Sequence, residues 1–184
     1  MERDRAMNGE MEILEKVKRA FGDRIETAPK RERQAEIRVP LELLHPLIGY
    51  LKAQGFGHLA TISCVDWIEE GEFELVYHLW SYERRFHLLV KTRIDRENPT
   101  VETIIPIFRI AETYERELHE MFGIDFPGNP NLTPLLLEDW DGPPPMRRDF
   151  DTRKYVEEKY GMVDLTKELW ERQEPILEGE NGED

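Results

Sequence analysis

The densest group of titratable side chains in this 184-residue chain is Glu115-Arg116-Glu117, with His119-Glu120 close behind. Two carboxylates beside an imidazole suit general acid–base work, provided a cleft holds them and their environments differ. Spacing argues for something plainer. Ala111, Tyr114, Leu118, Met121 and Phe122 recur on one helical face, while Glu112, Arg116 and Glu120 stand four apart on the other. The expected element is a helix stopped by Gly123, its polar face ion-paired or interfacial. The acid–base alternative is a stand-alone acidic hydrolase, and it needs Glu115, Glu117 and His119 to converge.

Other chemistry is thinner. His119-Glu120 opens a zinc-protease pattern, but Gly123 stands where the second histidine belongs, so that reading fails. His45, His58, His78 and His87 share no ligand spacing; His78 and His87 fall in neighbouring strands opposite the core stripe and read as polar packing. The lone Cys64 can form no internal disulfide and cannot supply an iron–sulfur cluster or an all-cysteine zinc site. Set in an apolar strand with no basic neighbour, it reads as a small hydrophobe. No phosphate loop, dinucleotide fingerprint or nucleophile elbow occurs. The expectation is a chain with no catalytic, cofactor-binding or metal-binding residues of its own.

The elements that would position these residues follow from periodicity. Residues 11–21 have helical spacing stopped by Gly22, and 24–28 with 35–39 read as a hairpin across a polar turn at 29–33. Pro40 suits the start of a helix carrying Leu43, Leu44, Leu47, Ile48 and Leu51, with Pro46 marking a kink or a later start. Residues 59–67 are nearly uncharged until Asp66, as in a central strand covered on both faces. Phe73, Leu75, Tyr77 and Leu79, then Phe86, Leu88 and Val90, alternate with polar neighbours and predict two antiparallel strands. Asn98-Pro99 suggests a short helix to Ile105, and after Gly123 prolines end all periodicity apart from a weak helix candidate at 165–171. The predicted fold is α+β: a two-layer domain over residues 1–126, a mixed sheet of about five strands with helices packed on it. An extended, proline-rich, partner-docking tail over 127–184 follows.

Charge narrows the partners. With 39 acidic against 25 basic residues the formal net charge is −14, which repels phosphate backbones and anionic headgroups. Nucleic acid and direct membrane insertion are therefore excluded, and with no apolar run of about 18 residues and a charged amino terminus the expected place is the cytoplasm. A charged fraction of 35% also suits a thermophile rich in surface ion pairs.

The run Tyr-Glu-Arg-Glu-Leu-His-Glu-Met-Phe-Gly-Ile at 114–124, then Leu-Leu-Leu-Glu-Asp-Trp-Asp-Gly at 135–142 and Arg-Arg-Asp-Phe at 147–150, resembles one family. It is similar to the thirty-kilodalton subunit of respiratory complex I and its relatives in membrane-bound hydrogenases. The likeness spans about Pro40 to Phe150 and includes Val76-Tyr77-His78-Leu79. The resemblance implies an α+β subunit without a cofactor, docked on a hydrogenase-like large subunit beside a small iron–sulfur subunit. Its complex would sit at the cytoplasmic side of the cell membrane and touch the membrane arm indirectly. Iron–sulfur clusters, and nickel–iron in a hydrogenase-type complex, would lie in partner subunits. By position, Glu115, Arg116, Glu117, Phe122, Gly123, Asp139, Trp140, Gly142, Arg147, Arg148 and Asp149 match the motif and are implied to be structural or interfacial. Thr113 replaces a usual Trp, Asn129 a frequent His, and Pro144-Pro145-Met146 a common His-Pro-Leu, which points to a hydrogenase-type or ferredoxin-dependent complex over a quinone-reducing one. A free acidic adaptor is the remaining alternative.

Overall fold

Strand alternation dominates the architecture. The computed structural model describes residues 2–161 and forms one five-stranded mixed sheet, in the order β1-β2-β5-β4-β3. In chain order the elements are α1 (Glu2–Phe21), a single 3-10 turn, β1 (Glu26–Arg31), β2 (Gln34–Arg38), α2 (Leu41–Ala53), β3 (His58–Trp67), β4 (Glu72–Ser81), β5 (Phe86–Asp95), α3 (Ala111–Phe122) and α4 (Thr152–Tyr160). All pairings are antiparallel except β2 with β5, which α2, β3 and β4 separate in sequence. The chain divides into two units after Phe150, and α4 belongs to the second, where the Asp151 carboxylate caps it by accepting from Lys154 N.

The period-two stripe does what it predicts. Phe73, Leu75, Tyr77 and Leu79 of β4 and Phe86, Leu88, Val90 and Ile94 of β5 are buried. One core joins them to Ile13, Leu14 and Val17 of α1, Leu44, Leu47 and Leu51 of α2, and Leu118 and Phe122 of α3. Burying each such side chain contributes about 1.5–3 kcal/mol, so this face holds the layers together. Pro46 lies within α2 on an exposed turn, where water can satisfy the carbonyl its missing N–H leaves free.

Four expectations change. β3 is an edge strand, not a central one: its uncharged run faces α3 on one side, and Val65 is exposed on the other. The expected helix at 98–105 does not form. Its amides go elsewhere, Val101 N donating to Asp125 O (2.9 Å) and Thr103 N to Pro127 O (3.0 Å), so a run of β-branched residues stays extended. β1 continues through Pro29 to Arg31, leaving only Glu32-Arg33 as the turn. Residues 127–150 lack regular structure yet bond extensively to the domain, and α4 forms where the sequence pattern signals no helix. The helix candidate at 165–171 lies outside the described residues.

Candidate functional site

α3 and the irregular segment 127–150 carry the motif, and the structure interlocks them. Gly123 ends α3 in the left-handed region (φ 75°), and a Cβ there would meet Pro144 Cγ at 3.0 Å. Glycine thus serves both the helix stop and the close pass of the returning chain. Phe122 is buried edge-on against Phe73, with centroids 5.8 Å apart.

Glu115 is 0% exposed. Its carboxylate accepts from Thr103 Oγ1 (2.6 Å), Ile104 N (2.8 Å) and Asn129 Nδ2 (3.0 Å), joining three chain segments. Burial pushes its carboxyl above the usual range, and these three donors oppose that rise. The next residue, Arg116, donates to the Thr133 and Pro134 carbonyls, and Glu120, one turn further, accepts from the amides of Leu135 (3.1 Å), Leu136 (2.9 Å) and Leu137 (2.8 Å). Burial works against the Glu120 charge, but the three amides outweigh it and hold the carboxyl below its ordinary range. The charged ends expected to pair along α3 thus bind loop backbone instead.

The far end of the segment is fastened by a second cluster. Arg96, buried beyond β5, donates to Asp66 from Nε (2.7 Å) and Nη2 (3.0 Å) and to Asp149 from Nη2 (2.7 Å). Asp66 also accepts from Arg148 N (2.8 Å), and Arg147 donates to Arg96 O (3.1 Å) with its guanidinium 5.3 Å from the Phe73 ring centroid. Burial disfavours the Asp66 charge, but Arg96 and the Arg148 amide prevail and lower its carboxyl; Arg96 is the main reason that of Asp149 is lowered too. Trp140 donates from Nε1 to Pro143 O (3.0 Å) and lies edge-on to Phe150. Asp139 is exposed with φ 52°, Gly142 is half-buried three residues on, and Glu117 is exposed on α3.

Most motif residues therefore act as internal fasteners; Glu117 and Asp139 are exposed, and Arg148 fastens through its backbone amide while its side chain stays exposed beside Glu69. Glu115, Glu117 and His119 do not converge: Glu115 faces the core, Glu117 is exposed, and His119 Nδ1 lies 2.8 Å from Ile124 O. Sequence reasoning missed Asp66, Arg96, Thr103 and Asn129, although Asp66 as the first charge in an apolar run was a usable signal. Among the described residues no group of three His, Cys, Asp or Glu could hold a metal, and no helix is long and apolar enough to cross a membrane. Burial pushes the half-buried Cys64 thiol up to about 12, so it is no nucleophile at neutral pH.

Pinned from within, the loop turns apolar side chains outward: Leu136 is 60% and Met146 57% exposed. Isolated exposed apolar residues are common, and these two differ in standing on a loop fastened from its inner side.

Known proteins are similar to this chain in sequence and fold. Residues 37–156 match the family described as respiratory-chain NADH dehydrogenase, 30 Kd subunit. A subunit of the F(420)H(2) dehydrogenase of Methanosarcina mazei is 39% identical over 104 residues, 55% of this chain and 66% of that protein. A subunit of the NADH-quinone oxidoreductase of Moorella thermoacetica is 36% identical over 113 residues, 61% of this chain and 76% of its own. Among solved structures, a chain of the membrane-bound sulfane sulfur reductase, an archaeal respiratory membrane complex, superposes with a TM-score of 0.78 at 39% identity. That match covers 85% of this chain and 94% of the other. A trypsin-resistant fragment of Nqo5 matches at a TM-score of 0.57 and 26% identity over 66% of this chain and 98% of its own. With the family matching most of the chain, including both halves of the fastened loop, the protein belongs to the 30 Kd subunit family of respiratory-chain NADH dehydrogenase.

Proposed function

We propose that this chain is a non-catalytic assembly subunit in the peripheral electron-transfer arm of a complex I-related membrane-bound oxidoreductase. It docks on the hydrogenase-like large subunit through the 127–150 loop, with redox centres in partner subunits and the complex at the cytoplasmic side of the membrane. The observation that carries this reading is the fastening of the loop from its inner side, which leaves Leu136 and Met146 as outward apolar anchors. A chain that holds its charged motif for internal bonds and exposes apolar groups on a rigid loop is built to be covered. The similarity to chains of a membrane-bound sulfane sulfur reductase and of NADH-quinone oxidoreductases supports a respiratory membrane complex and leaves its electron acceptor open.

The test is co-expression with the neighbouring large and small subunits. Leu136→Asp with Met146→Asp is expected to abolish co-purification while the isolated variant melts near the parent temperature. If that double variant assembles and turns over like the parent, the loop is not the docking surface.

A further inference from the structure

All three long helices of the first unit serve one face of the sheet, and the opposite face carries a separate constellation. Arg31, Gln34, His87, Trp80 and His58 stand in register across β1, β2, β5, β4 and β3, one residue per strand. Their neighbours Ala35, Leu88, Leu79 and Leu59 are buried in the core, so the row itself lies on the open side.

The row is ordered by its own contacts. Arg31 Nε donates to Gln34 Oε1, which turns the Gln34 amide nitrogen toward His87 Nδ1 (3.4 Å). With Nδ1 accepting, Nε2 is the proton-bearing nitrogen of His87. Aromatic rings continue the line: His87 to Trp80 (6.4 Å), Trp80 to Tyr82 (6.2 Å) and Tyr82 to His58 (5.5 Å), around a groove they share with Ala60. Tyr82 is 72% exposed.

The turns at this end add charge. Arg33 and Arg85 occupy the left-handed region (φ 61° and 50°), in the β1–β2 and β4–β5 turns, and the two turns meet where His87 N donates to Arg33 O. Glycine or asparagine takes that conformation at less cost, yet arginine stands at both places. Of the other charges in the second turn, Arg84 donates to Gln54 O and the Glu83 carboxylate lies beside Gly55, both at the end of α2. Among the described residues this end of the open face thus gathers Arg31, Arg33 and Arg85 with two carboxylates, Glu32 and the Glu83 that lies beside Gly55, in a chain of net charge −14.

Donors and cations around a bare aromatic shelf fit carboxylates carried on a peptide. We propose that this end of the open sheet face is a second docking surface, occupied by an acidic segment of a neighbouring subunit. Its carboxylates meet His87 Nε2–H, Arg31 and Arg85, while its chain lies over Trp80 and Tyr82. The inference rests on the assembly role proposed above but uses none of the loop residues.

The experiment places a photo-crosslinking benzoylphenylalanine at position 82 or, in a parallel sample, at 136, in the purified whole complex. After irradiation, mass spectrometry is expected to join position 82 to an Asp/Glu-rich peptide of another subunit. Arg31→Glu with Arg85→Glu should cut that adduct about tenfold, as charge reversal at an electrostatic contact does. Arg85→Gly should also cut it, although the isolated variant melts no lower than the parent because the turn strain is relieved. No inter-subunit adduct at 82, an adduct to a lipid, to a second copy of this chain or to a peptide without acidic residues, or a yield indifferent to both variants would overturn the inference. An adduct at 136 with none at 82 removes this surface and leaves the loop reading standing; an adduct at 82 with none at 136 does the reverse.

Discussion

Replacing Glu120 by alanine separates a fastened loop from a merely adjacent one. Its carboxylate accepts three successive amides, Leu135, Leu136 and Leu137, at 2.8–3.1 Å. A hydrogen bond to an ionised acceptor contributes about 1.5–3 kcal/mol, so three sum to at most about 9 kcal/mol. Water reaches this half-buried site and takes over much of that when the carboxylate leaves, reducing the expected net loss to about 2–3 kcal/mol. The loss falls on local opening of the loop, because the core beneath is made of other residues. At 1.36 kcal/mol per decade, exchange protection at the three leucine amides should fall about 30- to 150-fold. Hydrogen exchange read by NMR measures it, with Glu117→Ala, outward on the same helix, as the control expected to change nothing. Protection within about threefold of the parent would refute the fastening, as would an equal fall at Leu88 and Val90, which would make Glu120 a global support. The pH sense is fixed as well. Because the native Glu120 carboxyl sits below its unfolded value, its contribution is complete above about pH 4.3 and is lost as pH falls through the lowered native value.

Asp66→Ala should cost roughly 3–5 kcal/mol in urea unfolding, since it strips buried Arg96 of its bidentate partner. Asp66, Asp149 and Glu36 also have carboxyls lowered in the folded state, so thermal stability should hold above about pH 4.3 and fall progressively in acid, an effect that Glu115, shifted the other way, offsets in part. Arg116→Ala should free the carbonyls of Thr133 and Pro134, lowering exchange protection in the loop and the yield of assembled complex together, with a small change in melting temperature. Cys64 should resist iodoacetamide at neutral pH in the folded chain and react at the ordinary rate in urea, as its raised thiol requires.

Why some of this could be read from residue order and some could not follows from the range of the forces involved. The stripe Phe73, Leu75, Tyr77, Leu79 and the helix face Leu118, Phe122 are local periodicities, and their burial is what the pattern encodes. Position within a sheet is not local. Residues 59–67 have the composition of a covered strand, but nothing in that run records that β5, rather than β3, pairs with β2. The failed helix at 98–105 has the same origin: its amides are claimed by Asp125 and Pro127, some 24 residues on. Polar side chains are hardest. Glu112, Arg116 and Glu120 satisfy the four-residue rule for helix pairs, but three aligned amides claim Glu120 while the Thr133 and Pro134 carbonyls claim Arg116.

That competition also explains how the motif bears on assembly. A residue facing a partner is free to change whenever the partner changes with it, whereas Glu115 is held by Thr103, Ile104 and Asn129 of its own chain at once. Replacing it by glutamine keeps an acceptor for two donors but sets an amide N–H₂ against the third, leaving a buried clash that no partner can relieve. The motif thus gives the loop its shape, and in the proposed assembly the outward Leu136 and Met146 would supply the contact. Variants of Glu115, Arg116 and Glu120 should disturb assembly through loop order, detectable in the isolated chain, whereas variants of Leu136 and Met146 should disturb assembly alone. Loss of assembly from Glu120→Ala with full amide protection in the isolated chain would place that carboxylate at the interface and reverse the assignment.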